Sequence, residues 1–70
     1  MIELKRIIEA VLFSSSRPLK LKMLVKKLAI YSSEEVLHAL EELIEEYSHS
    51  DRAIEIVIVS GGYQMRTKII

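Results

Sequence analysis

The sequence predicts a small α+β domain of the winged helix-turn-helix class, and three observations carry that reading. Three amphipathic helical patterns come first, the hydrophobic period then switches from helical to alternating, and a Gly-Gly pair sits where the alternating segment must fold back. Helix, short strand, helix, helix, strand, tight turn, strand is the order of a winged helix, in which the hairpin's apolar face covers a three-helix core. Neither layer buries its apolar face alone.

In the first helical pattern Leu4, Ile7, Ile8, Val11 and Leu12 share one face, while Glu3, Lys5, Arg6 and Glu9 lie elsewhere. Ser14, Ser15 and Ser16 end it, because serine competes for backbone hydrogen bonds and prefers turns. Pro18 reinforces the break by pushing Arg17 towards an extended conformation, so a short extended piece is expected at Pro18–Leu19. The second helix follows, with Leu21, Leu24, Val25 and Leu28 as its stripe and Lys20, Lys22, Lys26 and Lys27 around it. The third opens on a capping box, Ser32 with Glu35, and carries Val36, Leu37, Leu40, Leu43, Ile44 and Tyr47 on its inner face before ending near Ser48–Asp51.

In the last third Ile54, Ile56 and Ile58 alternate with Glu55, Val57 and Val59, the period of a strand with one covered face. Taking Gly61–Gly62 as the two-residue turn pairs Ser60 with Tyr63, Ile58 with Met65, Ile56 with Thr67 and Glu55 with Lys68. The expected inner face is then Ile54, Ile56, Ile58, Met65, Thr67 and Ile69.

Composition narrows the function. Seventy residues make one domain, 1–70, and a chain of this size buries only about 60% of its unfolded surface. With no cysteine there is no disulfide or thiolate metal site, so helix packing or burial against another chain must stabilise it. Ten basic and ten acidic side chains cancel, which disfavours a generic polycation. No apolar run approaches the length of a membrane span, and Met1 leads directly into charged residues without a signal-peptide pattern, so a soluble cytoplasmic protein is expected.

A winged helix usually places its third helix in the major groove of DNA. Here the face of that helix opposite the apolar stripe carries Glu34, Glu35, Glu41, Glu42, Glu45 and Glu46, one histidine and no Lys or Arg. Such a face repels phosphates, and the wing tip, Ser60 to Tyr63, has no cation to compensate. The second helix is the reverse: Arg17, Lys20, Lys22, Lys26 and Lys27 give five positive charges with no acid among them. They suit weak, sequence-independent phosphate contact or an acidic partner surface; the competing reading is a solvated face that keeps the helix soluble. A basic second helix beside an acidic third one orients a protein partner better than it reads a groove.

Apolar residues left outside the core strengthen the protein-contact reading. Val57 and Val59 fall on the outward face of the hairpin, Met23 falls among lysines, and Ile2 and Phe13 lie off the first helix's stripe. Tyr63, Arg66, Ile69 and Ile70 complete the candidate interface. Against this, strand propensity alone accounts for the two valines, and Phe13 could pack beneath Pro18–Leu19. His38 has Glu34 and Glu42 one turn away on either side, a chelating spacing, but the face is solvent-directed and reads as a solvated helix; His49 lies in a polar turn. No catalytic constellation, cofactor motif or small-molecule site stands out, so no enzyme and no cofactor are expected.

The first helix, Leu4-Lys5-Arg6-Ile7-Ile8-Glu9-Ala10-Val11-Leu12-Phe13 followed by Pro18-Leu19, the capped Ser33-Glu34-Glu35-Val36 and Ala39-Leu40-Glu41-Glu42-Leu43, and the hairpin Ile54-Glu55-Ile56-Val57 through Gly61-Gly62-Tyr63-Gln64-Met65-Arg66-Thr67-Lys68 together resemble the N-terminal winged-helix domain of segregation and condensation protein B (ScpB). The resemblance spans nearly the whole chain and implies a non-enzymatic, nucleoid-associated subunit of a prokaryotic condensin. Such a subunit forms a homodimer and grips the kleisin ScpA, which bridges the heads of an SMC ATPase. Family members usually continue into a second winged-helix domain, whereas the sequence here stops at Ile70, as expected of a fragment or of an unusually short member, and the loop Ala29-Ile30-Tyr31-Ser32 lacks the glycine often found there. The alternative is a winged-helix DNA-binding protein touching phosphates through its second helix.

Overall fold

The computed structural model describes residues 2–49 and 51–69, arranged as three helices and one antiparallel hairpin: α1 Leu4–Phe13, α2 Leu21–Lys27, α3 Ser33–Ser48, β1 Ile54–Val59 and β2 Gly62–Thr67. This is the winged-helix order expected from the sequence. Two of the boundaries have a clear local cause. The Ser14 hydroxyl donates back to the Val11 carbonyl at 3.2 Å, taking up a backbone acceptor where α1 stops, and the Ser15 hydroxyl donates forward to the Arg17 carbonyl at 2.9 Å in the linker. At the start of α3 the capping box is complete: Ser32 Oγ accepts from the Glu35 amide at 3.1 Å, and Glu35 Oε1 accepts from the Ser32 amide at 2.9 Å. Such a cap contributes about 1 kcal/mol and fixes the register of the helix.

Ile8, Leu12, Leu24, Val36, Leu40 and Leu43 form the fully buried centre, drawn from all three helices. Leu19, Ala39, Tyr47 and Ile56 close it, and Ile54, Tyr63 and Met65 of the hairpin pack against it. The core is aliphatic with one tyrosine at its edge, as a chain with four aromatic residues requires.

The Pro18–Leu19 segment is extended, and its partner is β2. Leu19 and Tyr63 exchange amide-to-carbonyl hydrogen bonds of 2.8 Å in both directions, so the linker adds an isolated bridge to the hairpin's edge.

The hairpin register differs from the expected one. Val59 pairs with Gly62, Ile58 with Tyr63, Val57 with Gln64, Ile56 with Met65, Glu55 with Arg66 and Ile54 with Thr67. The turn residues are Ser60 and Gly61, with φ of 52° and 76°, and not Gly61–Gly62. Two positive φ values suit the two-residue hairpin turn whose twist matches the strands. Gly62 is glycine for a different reason: a Cβ there would lie 2.8 Å from Pro18 Cβ and 3.0 Å from the Pro18 carbonyl carbon. Close approach of the linker, rather than backbone handedness, fixes that glycine. Moving the turn by one residue shifts the pairing by two, and because side chains alternate with period two the faces survive. Ile54, Ile56, Ile58, Met65 and Thr67 remain on one face, joined by Tyr63, while Val57 and Val59 share the other with Glu55 and Arg66. Glu55 therefore meets Arg66, at 3.1 Å, instead of Lys68.

Ile58 is on the expected face yet is 68% exposed, and Thr67 and Ile69 are exposed too. The helical layer covers only the middle of the hairpin. An alternating pattern tells which way a side chain faces and not how far the opposite layer reaches.

Candidate protein interface

The outer face of α3 carries exposed Glu34, Glu35, Glu41, Glu42 and Glu45. Its histidines face these acids: His49 Nε2 lies 2.8 Å from Glu45, and His38 Nδ1 lies 3.9 Å from Glu42. Among the described residues no group of three His, Cys, Asp or Glu side chains is placed to hold a metal ion. Neither the turn at the wing tip nor this helix face presents a cation, and Arg66 on the wing is engaged by Glu55. A duplex docked in the usual orientation would meet five carboxylates.

Glu46 departs from the expectation that it joins this outward face. It turns towards α1, where it binds Lys5 Nζ and receives Arg6 Nη2 at 2.9 Å. Arg6 also reaches Glu9 at 3.1 Å, and the Tyr47 hydroxyl donates to Glu9 Oε2 at 2.5 Å. Arg52 stands 5.0 Å from the centre of the Tyr47 ring. The result is a polar clasp between α1 and α3. The Tyr47 hydroxyl, then Arg6, hold the Glu9 carboxyl below its ordinary value, with partial burial opposing them. Lys5 and Arg6 lower Glu46, and burial together with Glu9 raises the Tyr47 phenol.

Both carboxyls are depressed in the folded state, so their contribution is present above the unfolded value near 4.5 and is lost as pH falls through the lower folded values. Chemical denaturation measured from neutral pH down to about pH 3 should show stability falling in that acid arm. The Glu9→Gln/Glu46→Gln variant should show a flatter profile, and an unchanged slope would remove the clasp from the account.

The candidate contact residues fall into separate groups. Phe13 is 76% exposed, so it does not pack beneath Pro18–Leu19. It borders a cavity of about 330 Å³ floored by Ala10, Ile54 and Met65 and rimmed by Arg6, Glu9 and Tyr47. Met23 is half-exposed on α2 among Lys20, Lys22 and Lys26. Val57 and Val59 are half-buried and not fully outward, and Tyr63 is drawn into the core margin by its pairing with Leu19. Ile69 is 72% exposed; Ile70 lies outside the described residues. Arg17, Lys20, Lys22, Lys26 and Lys27 are all exposed.

Sequence reasoning missed two exposed side chains. Ile58 was assigned to the core, and Ile30, 89% exposed in the α2–α3 loop, carried no pattern that would mark it. No helix among the described residues is long and apolar enough to cross a membrane.

Comparison with known proteins agrees with this geometry. The fold superposes with a TM-score of 0.81 on a crystal structure described as a dimer of the ScpB N-terminal domain complexed with ScpA peptide, at 30% identity over 93% of this chain and 80% of that one. A conserved hypothetical protein from Chlorobium tepidum gives 0.71, at 34% identity, over 91% of this chain and 40% of its own. Segregation and condensation protein B of Alkaliphilus oremlandii is 39% identical over 66 residues, 94% of this chain and 35% of the relative. That of Clostridioides difficile is 38% identical over 69 residues, 93% of this chain and 37% of the relative. The chain thus spans about a third of the length of the curated relatives it matches. The family described as segregation and condensation complex subunit ScpB matches residues 6–69, and the chain belongs to that family.

Proposed function

We propose that this chain is a non-enzymatic protein-interaction module of a prokaryotic SMC–kleisin complex, a single winged-helix domain acting in the cytoplasm at the nucleoid. In this reading it pairs with a second copy of itself and supports a ScpA-like kleisin, and through it an SMC ATPase, in chromosome condensation and segregation. The observation that carries the reading is the similarity to the ScpB N-terminal domain dimer complexed with ScpA peptide. Two physical features support it. The acidic α3 disfavours the duplex contact for which this fold is otherwise used. The accessible surface, 5131 Å², also exceeds the roughly 4,500 Å² expected of a compact monomer of 8.1 kDa, as for a domain built to be partly covered.

The self-contact we assign to the Phe13 edge, where an exposed aromatic stands beside an unfilled apolar cavity. Aromatic side chains of this kind dominate interface energetics when a partner desolvates them. Co-expression with a ScpA-like kleisin tests the assembly: the two chains should co-purify through size exclusion. Recovery of the kleisin free of this chain would reject the kleisin part of the reading.

A further inference from the structure

The cations of this domain divide into two populations. Lys5, Arg6 and Arg66 each meet a carboxylate of the fold. Arg17, Lys20, Lys22, Lys26 and Lys27 form no ion pair among the described residues, and the sequence has no acidic residue between Glu9 and Glu34 to supply one. Lys26 and Lys27, in the last turn of α2, complement its dipole, but two of the other cations work against the helix. Lys20 and Lys22 stand at the N-terminus of α2, where the helix dipole favours acids, and its N-cap makes no side-chain hydrogen bond. Lys22 and Lys26 are like charges one turn apart, a mildly destabilising pair. The dipole accounts for Lys26 and Lys27, but folding alone gives no reason for lysines at the start of α2.

At the centre of the lysines is an apolar side chain. Met23 has Lys20 three residues before it and Lys26 and Lys27 three and four after it, the positions that neighbour it on a helix surface. It is 50% exposed and separates two depressions. One, of about 250 Å³, is lined by Lys20, Lys22, Met23 and Lys26. The other, of about 310 Å³, is lined by Val11, Ser14, Ser15, Leu19, Met23 and Lys27. Lysine stems contribute hydrocarbon to such walls while their ammonium groups stay at the rim.

We propose that this face of α2 is a docking site for an acidic polypeptide segment bearing one apolar anchor. The anchor lies against Met23, whose flexible thioether adapts to different shapes, and flanking carboxylates meet Lys20, Lys22, Lys26 and Lys27. Phosphates would use the same charges but have no use for Met23 and its hydrocarbon walls. A peptide helix, about 10–12 Å across, is of the width of α2 itself. The site is independent of the Phe13 contact and of the identity of the kleisin.

A displayed random-peptide library panned against the protein tests this directly, with counter-selection on the Lys22→Glu/Lys26→Glu variant, whose exposed substitutions leave the core untouched. The enriched peptides should be acidic around a single Leu, Phe or Met. Their binding should fall more than tenfold on the double variant and about tenfold on Met23→Ser, with steep salt dependence only in the lysine-dependent part. Neutral or basic peptides, retention by the double variant, or indifference to Met23→Ser would overturn the proposal. So would a mixed-sequence duplex that binds the protein and loses binding on the double variant when no peptide does, which would give the face to nucleic acid.

Discussion

Leu40→Ala should cost about 2–5 kcal/mol, a large share of the stability a domain of this size possesses. Leu40 is wholly buried at the middle of α3, within the single cluster shared by all three helices. The chain has no disulfide to add to its stability, so little margin is left to absorb the loss. Thermal unfolding should move down by roughly 10–30 °C, given the shift per kcal/mol of a domain this small. Leu37→Ala, three residues earlier on the half-exposed margin, serves as the contrast and should cost about 1 kcal/mol or less. Equal effects at the two positions would contradict the core described above.

Asparagine at the two adjacent glycines should have opposite consequences. Gly61 has φ of 76° and open space where its Cβ would stand, and asparagine adopts that conformation readily, so Gly61→Asn should change stability by only a few tenths of a kcal/mol. Gly62→Asn must push a Cβ into Pro18, whose ring and backbone are both rigid, at a cost of about 1–3 kcal/mol. It should also loosen the Leu19–Tyr63 bridge, visible as faster hydrogen exchange at those two amides. The pair discriminates between registers. With Gly61–Gly62 as the turn, both positions would need positive φ and both would accept asparagine.

That contrast marks where the sequence could be read and where it could not. Leu4 to Leu12, Leu21 to Leu28 and Val36 to Tyr47 declare helices because each buries a stripe of period 3.6, and Ser32 with Glu35 fixes one start to the residue. The faces of the hairpin were legible from alternation alone. Its register was not, because two glycines in a row offer two turns, and the choice is made by a tertiary contact with Pro18, more than forty residues earlier in the chain. Glu46 was misplaced for a related reason: its helical angle points away from the stripe, but Lys5 and Arg6 on the neighbouring helix reach round to it. Apart from Glu46, the charge segregation between α2 and α3 was legible, because it needs only the helical period and the identities of the side chains. Phe13 illustrates the intermediate case. Its position off the stripe was visible, whereas the cavity beside it depends on where the hairpin brings Ile54 and Met65.

In the proposed function this domain's surface meets polypeptides, beginning with its own copy. Light-scattering mass at about 100 µM protein is its most direct test, because self-association follows concentration. The account predicts a mass near twice 8.1 kDa for the wild type, reverting to a single chain for Phe13→Glu with the helical circular dichroism unchanged. A wild-type mass of one chain at that concentration would contradict it.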